Sequence, residues 1–410
     1  MPRKRAAKGG SVCKIYEKNC YFFYIIIYKK RRMCYTYMVN YEENVPMRIK
    51  GLELHRFRNY TDLTLYPEPG LNILSGLNAE GKTNVLESIF LCALGRSHRT
   101  PHDAELLMDG QLDGSVALAL ETRGGSRSIR IELIRGERKR VYLDEAPLNR
   151  SGELMGCLNV VMFSPEDLQL VKDGPQERRR FLDMELSQLK PAYYYALQQY
   201  NQALKSRNLL LKEETVPYDM IELWDEQLSK LGATIMQARA SFIEELSQNA
   251  HTLHAKMSGT KELLETVYQP TVPVQDFDDL RETLTEQLAD RLERDIYRGF
   301  TSVGPHRDDL LLLLNGRDLR VYGSQGQQRT AALSLKLSEI DLVRRVRGER
   351  PVLLLDDVFS ELDAERQSRL LEVVSECQTF VTCTHLEEFV KAGAVSMQVY
   401  RVSNGRVVEE

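Results

Sequence analysis

Eight consecutive residues restrict this chain more than any others: Gly76, Leu77, Asn78, Ala79, Glu80, Gly81, Lys82 and Thr83. They fit the spacing G-x-x-x-x-G-K-[ST] of a phosphate-binding loop. Leu71–Ser75 before them reads as a short buried strand. After them, Val85, Ile89, Leu91 and Leu94 recur at roughly helical spacing, which predicts a helix over Lys82–Leu94. Strand, glycine loop and helix are what phosphate binding needs. Backbone N–H groups at a helix N-terminus face the phosphates, and the helix dipole favours negative charge there. Lys82 is expected to reach the β- and γ-phosphates of a nucleotide such as ATP, and the Thr83 hydroxyl to ligate Mg²⁺.

A second candidate half of this site lies 274 residues further on. Pro351-Val-Leu-Leu-Leu355 is an apolar strand ending in Asp356-Asp357. Its last residues are expected at the carboxyl end of a sheet, where ligands of open α/β folds sit. Asp356 is the candidate metal ligand beside Thr83. Asp357 is the candidate for orienting or deprotonating an attacking water.

The chain between these motifs changes character. From Met47 to about Met162 it is strand-rich, with candidates at 48–54, 63–66, 71–74, 116–121, 128–133 and 140–143. Between Gln176 and Met257 two helical stripes follow. The first runs Leu182, Leu186, Leu189, Tyr193, Leu197, Tyr200, Leu204, and the second Trp224, Leu228, Leu231, Ile235, Ala238, Phe242. Both approach the 3.5-residue period of helices packed side by side. Pro217 lies in the polar stretch joining them, so an antiparallel pair of helices, each about 50 Å long, is expected. Pro191 should kink or break the first. Strands return from Phe300: 310–314, then 319–321 after an Asn315-Gly316 turn, then 351–355 and 379–384.

Four segments follow: 1–46, an extension; 47–170, the first part of an α/β body; 171–299, a helical arm; and 300–410, the rest of the body. The extension holds 10 Lys/Arg against 3 Asp/Glu, a net of +7 that leaves −11 for the remainder. Three readings of it stand: a short anchor built on Tyr21–Tyr28, a basic tail for nucleic acid, or a start placed too far upstream of Met47. The last, or a structureless tail, is the expectation. The 7 Cys are scattered without metal-ligand spacing, which predicts reduced thiols in a cytoplasmic protein. No apolar run is long enough to span a bilayer.

Between the two nucleotide motifs, Tyr322-Gly-Ser324-Gln325-Gly326-Gln327-Gln328-Arg329 leads into an apolar helix over 330–346. Ser-x-Gly-Gln at a helix N-terminus resembles the signature motif of ABC-type ATPases. Phe359-Ser-Glu-Leu-Asp363 resembles that family's D-loop, and His385 follows a strand where the family carries a switch histidine. Taken together, the motifs resemble the ABC ATPase heads of the structural-maintenance class, and within it the RecF family of bacterial DNA replication and repair proteins. The residues behind this are Leu54-His-Arg-Phe-Arg-Asn-Tyr60, Phe163-Ser-Pro-Glu-Asp167, Gly174–Asp183, Val303-Gly-Pro-His-Arg-Asp-Asp-Leu310, Tyr322–Arg329 and Leu355–Asp363.

The resemblance implies an α/β ABC-type P-loop ATPase head with an inserted, coiled-coil-like helical arm. It implies an ATP-dependent homodimer in which Ser324, Gly326 and Gln327 close over the γ-phosphate held by the second copy. It further implies binding of single- and double-stranded DNA at gaps and their junctions. Weak DNA-stimulated ATP hydrolysis, RecO and RecR partners, help in RecA loading and a part in SOS induction belong to the same implication. Two departures stand. The family's Q-loop glutamine is not evident around Phe163–Asp167, and the second acid is Asp357 rather than Glu, which implies slow hydrolysis. A transporter's nucleotide-binding domain would carry a shorter helical insertion, and a Rad50-like ATPase a far longer coiled coil. The basic runs Arg178–Arg180 and Arg135–Arg140 are read as either DNA-facing or simply solvated.

Overall fold

The computed structural model describes residues 17–18, 21–22, 28–30, 33–35 and 47–409, except 260–261, 275–278, 388 and 390–396. The chain divides into two compact units, Met1–Val45 and Pro46–Glu410. In the first, Glu17–Lys18 pairs antiparallel with Tyr21–Phe22, and Tyr28–Lys30 with Met33–Tyr35. The expectation of a structureless or upstream stretch falls otherwise on residues outside those described.

The larger unit is built on two six-stranded sheets. One is antiparallel and runs, edge to edge, Ala146–Pro147, Arg140–Leu143, Gly125–Ile134, Asp113–Thr122, Arg48–Phe57 and Tyr60–Leu65. The other runs Val160–Phe163, Val352–Leu355, Thr379–Cys383, Leu71–Ser75, Met397–Ser403 and Arg406–Glu409. Its first five strands are parallel and the last is antiparallel.

Alternation along the parallel strands sorts side chains into two cores. Leu74, Leu354 and Phe380 face helix Lys82–Leu94, on whose far side lie Leu52, Val116 and Ile131 of the antiparallel sheet. Ile73, Leu353, Leu355 and Val381 face the other way. They meet Leu333, Leu335 and Leu337 of helix Gln325–Arg347, together with residues of the inserted helices. Both faces of this sheet are therefore covered, and its strands read as apolar runs.

The insertion begins with helices Pro175–Leu189 and Pro191–Leu210. The break comes at Lys190, which is extended at φ −132°, ψ 94°, the bias of a residue before proline. The first stripe is thus two helices of 15 and 20 residues rather than one of 50 Å. The second is longer than its stripe: Tyr218–Ser258 spans 41 residues, about 60 Å at 1.5 Å per residue. Leu228, Ile235 and Phe242 are buried along it, while Trp224, Leu231 and Ala238 flank them. Buried Arg207 bonds Asp225 on the long helix and Asp295 beyond it, tying the helices together.

Two expectations fail locally. The 171–299 segment is not wholly helical, because Leu264–Gln269 is a strand paired antiparallel with Asp309–Leu314. Residues 319–321 are not a strand. Asp318 Oδ1 accepts from the Arg320 N–H at 2.8 Å and caps a helical turn over Leu319–Tyr322.

Candidate nucleotide site

Strand Leu71–Ser75 lies between Thr379–Cys383 and Met397–Ser403, and delivers the glycine loop at its carboxyl end. Gly76 is needed for close approach: a Cβ there would lie 2.3 Å from Val402 O. Gly81 takes φ +112°, left-handed and open to glycine, and a Cβ would meet Asn59 Nδ2 at 2.4 Å. Ala79 is also left-handed, at φ 69°. Lys82 is buried, its Nζ donating to Gly76 O at 2.7 Å and Leu77 O at 3.0 Å. The ammonium thus curls over the concave side of the loop.

The two halves of the site meet across 273 residues. Thr83 Oγ1 donates to Asp356 Oδ1 at 3.0 Å. Between their strands stands Thr379–Cys383, and its Thr382 hydroxyl bridges the pair of acids. It donates to Asp356 Oδ1 at 2.7 Å and accepts from the Asp357 N–H at 2.9 Å. Asp356 is buried, and burial pushes its carboxyl up. The hydrogen bonds from Thr382 and Thr83 oppose this, while the charges of Asp357 and Glu166 add to it. A buried carboxylate with a raised pKa is stabilised by an arriving cation. Two hard oxygen donors, one of them carboxylate, match the sparse protein ligation of Mg²⁺, which keeps waters and substrate phosphates for the rest. Among the described residues no cluster of three or more His, Cys, Asp or Glu offers a metal cage instead. Asp357 is half-buried and sits at φ 50°, a left-handed strain for a non-glycine residue.

Ser324 stands elsewhere, at the N-terminus of helix Gln325–Arg347. A capping box holds it: the Gln327 N–H donates to Ser324 Oγ at 3.3 Å, and the Ser324 N–H to Gln327 Oε1 at 2.9 Å. Gln327 Nε2 donates in turn to Glu262. Ser324, Gln325 and Gly326 are exposed. In the D-loop segment Phe359 is buried against Phe389, while Ser360 and Asp363 are exposed. Asp363 caps helix Ala364–Val374. His385 is exposed, two residues beyond strand Thr379–Cys383.

Sequence reasoning passes over the residues that hold the loop from outside. In the two-residue turn after strand Arg48–Phe57, Asn59 Nδ2 donates to Glu80 O at 2.8 Å, and Asn59 Oδ1 accepts from Asn84 at 2.8 Å. Tyr60 OH donates to Gly81 O at 3.1 Å. Arg58 grips buried Glu87 on helix Lys82–Leu94 with two bonds, 2.8 and 2.7 Å. Glu80 also accepts from the Asn404 N–H in the C-terminal hairpin. No chemical spacing marks Arg-Asn-Tyr in a sequence; only family likeness singles it out.

Gly304–Asp309 likewise reads as a bare turn but forms a buried hub. His306 Nε2 lies 3.0 Å from Thr301 O, a carbonyl that can only accept, so this nitrogen carries the proton. Nδ1 then accepts from Tyr200 OH at 2.8 Å. Burial pushes the His306 pKa down to about 4, keeping the ring neutral. Asp308 accepts from Tyr268 and Thr271, and Arg239 donates to Pro305 O and Asp183. The basic run Arg178–Arg180 divides. Arg178 is neither DNA-facing nor solvated but buried, in a two-bond pair with Asp309. Arg179 is half-buried on Asp308 O, and only Arg180 is exposed. In the second run, Lys139 pairs with Asp103 and Arg140 with Glu137.

Among the described residues Cys92, Cys157, Cys377 and Cys383 form no disulfide, and no helix is long and apolar enough to cross a membrane.

The comparisons with known proteins agree with this geometry. Residues 48–408 match the family model described as RecF/RecN/SMC N terminal domain. The chain is 45% identical over 364 residues to a DNA replication and repair protein RecF of Lachnoclostridium phytofermentans, covering 88% of this chain and 99% of the relative. A RecF of Acetivibrio thermocellus is 45% identical over 368 residues, with the same two coverages. A solved structure of the recombination mediator protein RecF-ATP in the RecFOR pathway superposes with a TM-score of 0.84 at 35% identity, covering 90% of this chain and all of that one. An Smc head domain from Pyrococcus furiosus, 17% identical with a TM-score of 0.54 and covering 89% of this chain and 96% of that one, shares the fold.

Proposed function

The chain belongs to the RecF family of DNA replication and repair proteins, and we propose that ATP joins two copies of it into a dimer that holds DNA at single-strand gaps and their junctions with duplex. The observation that carries this is the meeting of Thr83 and Asp356 at 3.0 Å, beside a loop whose lysine is already turned onto its concave face. ATP is the ligand with phosphates for the loop N–H groups and Lys82. Mg²⁺, held by Thr83 and Asp356, would supply charge neutralisation at the phosphate oxygens. Asp357 orients the attacking water, or takes its proton, at the edge of the site. Its Oδ1 lies 3.5 Å from the Thr382 hydroxyl, which also bonds Asp356.

Ser324, Gly326 and Gln327 act in trans. The exposure of Ser324 and Gly326, and the helix N-terminus behind them, suit a γ-phosphate carried by the second copy. Ser360 and Asp363 flank that contact, and His385, beyond the strand that carries Thr382, approaches the γ-phosphate held by its own loop. Hydrolysis is weak, quickened by DNA, and reopens the dimer. The RecFOR pathway named for the solved relatives supports RecO and RecR as partners. RecA loading and SOS induction lie downstream in this reading. Residues 47–170 and 300–410 form the head in this reading, and 171–299 the inserted arm.

The test is binding of the full chain to gapped duplex DNA over a salt series, with ATP, with ADP and without nucleotide. ATP should tighten binding at least tenfold, with a log–log salt slope reporting phosphate contacts. Equal affinity with ATP and ADP would refute the nucleotide-driven clamp.

A further inference from the structure

A cavity of about 510 Å³ opens between the end of helix Lys82–Leu94, helices Pro175–Leu189 and Pro191–Leu210, and the Gly304–Asp309 hub. Five cations line it, Arg96, Lys139, Arg179, Arg180 and Arg239, against one carboxylate, Asp183. Three of the five are balanced: Lys139 by Asp103, Arg180 by Glu177, and Arg239 by Asp183. Two are not. Arg179 donates to a backbone carbonyl, Asp308 O at 2.7 Å. Arg96 makes no hydrogen bond or ion pair with any of the described residues.

The electrostatics register this surplus. Protein crowding and then the Arg180 guanidinium depress the Arg96 pKa, against the smaller opposing effects of Asp183 and Tyr194, although Arg96 stands exposed. Burial and then Arg239 depress that of Arg179, against the charges of Asp309 and Asp308. Apolar lining comes from Met155, Met184, Leu197 and the half-buried ring of Tyr194. A second cavity of about 310 Å³ shares Arg96, Arg180 and Met184 with the first. It contains His98, whose buried Nδ1 has no hydrogen-bond partner.

We propose that this cavity is a second ligand site, separate from the glycine loop, for a nucleotide-sized phosphate monoester. Two guanidiniums without an ion-pair partner among the described residues match a monoester dianion in charge and present the fork geometry that phosphate oxygens accept. The volume lies in the range of ligand pockets, and the apolar lining with its aromatic ring suits a base. The shared chemistry has two sources, a free nucleoside monophosphate or the 5′-phosphate end of a DNA strand.

The experiment uses the full chain with its glycine loop saturated by a non-hydrolysable ATP analogue. Thymidine 5′-monophosphate and thymidine are titrated by calorimetry. The monophosphate should bind about tenfold or more tighter than the nucleoside. Arg96→Glu should abolish that difference, and Arg96→Lys should retain part of it. Binding of the ATP analogue, unchanged in both variants, is the folding control. Oligothymidylates with 5′-phosphate and 5′-hydroxyl ends then separate the sources. A preference for the phosphorylated end that disappears with Arg96→Glu identifies the strand end. Equal binding of the two, with thymidine 5′-monophosphate still bound, identifies the free nucleotide. The proposal fails if thymidine binds as well as its monophosphate, or if Arg96→Glu binds the monophosphate as the unaltered chain does.

Discussion

Replacing Arg58 with Met isolates the contact that anchors the turn holding the phosphate loop. Glu87 is wholly buried on the helix that follows the loop, and Arg58, 19% exposed, meets it with two bonds of 2.8 and 2.7 Å. Without Arg58, Glu87 keeps Ser97 Oγ at 2.5 Å and Arg99 at 3.6 Å. Removing one partner of a buried pair costs about 3–5 kcal/mol. Arg99 remains in reach, so the lower end applies, about 3 kcal/mol. At roughly 2.1 cal/mol/K per residue, cooperative unfolding of the Pro46–Glu410 body would lose about 4 °C in Tm.

The deficit also has a pH signature. Burial pushes the Glu87 carboxyl up, but the hydrogen bonds and charges of Arg58, Ser97 and Arg99 outweigh it, and the net is a lowered pKa. A carboxyl lowered in the fold contributes stability above its unfolded pKa of about 4.3, lost as pH falls through the folded value. In Arg58→Met burial prevails and the pKa rises above the unfolded value. The variant then pays for an ionised Glu87 at neutral pH and recovers as the group protonates. The Tm gap should therefore narrow between about pH 7 and pH 4. Scanning calorimetry across that range measures it, with ATP titration beside it, since Asn59 and Tyr60 lose their anchor. Arg58→Met with Glu87→Met should regain most of the loss, because removing both partners leaves no unpaired charge. A gap below about 1 °C at neutral pH, or a double variant no better than the single, would refute the reasoning.

Four further outcomes are expected. Lys82→Met should abolish ATP binding or hydrolysis, measured by equilibrium binding and phosphate release, because it removes the ammonium turned onto Gly76 O and Leu77 O. Asp357→Asn should keep ATP binding but slow turnover about tenfold or more, lengthening the life of the ATP dimer on DNA, as single-turnover kinetics would report. Ser324→Arg should bind ATP as a monomer yet fail to dimerise in sedimentation with a non-hydrolysable analogue. A loss of only about 1 kcal/mol of stability, with dimerisation intact, would reduce Ser324 to its cap. Deleting residues 1–46 should leave ATP turnover and DNA affinity within about twofold; a weaker affinity with a shallower salt slope would make that segment a binding tail.

What the sequence discloses follows the range of the forces involved. Helix Lys82–Leu94 and strand Arg140–Leu143 lie where spacing predicts them, because local pattern and turn residues define both ends. Val160–Phe163 is opaque, since four apolar residues in a row suit a strand or a helix alike and only pairing with Val352–Leu355 decides. The same applies to Asn59, whose value lies in its bonds to Glu80 O and Asn84, more than twenty residues away. Arg178 misleads because a run of arginines looks solvated until Asp309, 131 residues away, comes to meet it. Lys82, Thr83 and Asp356 are legible because the chemistry dictates residue type and spacing together.

The parallel sheet has a consequence for the nascent chain. Strand Leu71–Ser75 takes its neighbours from Thr379–Cys383 on one side and Met397–Arg401 on the other, both made more than 300 residues later. At 5–20 residues per second, roughly 15–60 s of synthesis pass with both its edges bare. The antiparallel sheet can assemble meanwhile, its hairpins closing over short turns such as Arg123-Gly124. A truncated product ending before Thr379 would carry an exposed, strongly apolar strand that no later segment can cover. Such a product holds Gly76–Thr83 and Asp356 but lacks the strand, with its Thr382, that stands between them and joins the two halves of the site.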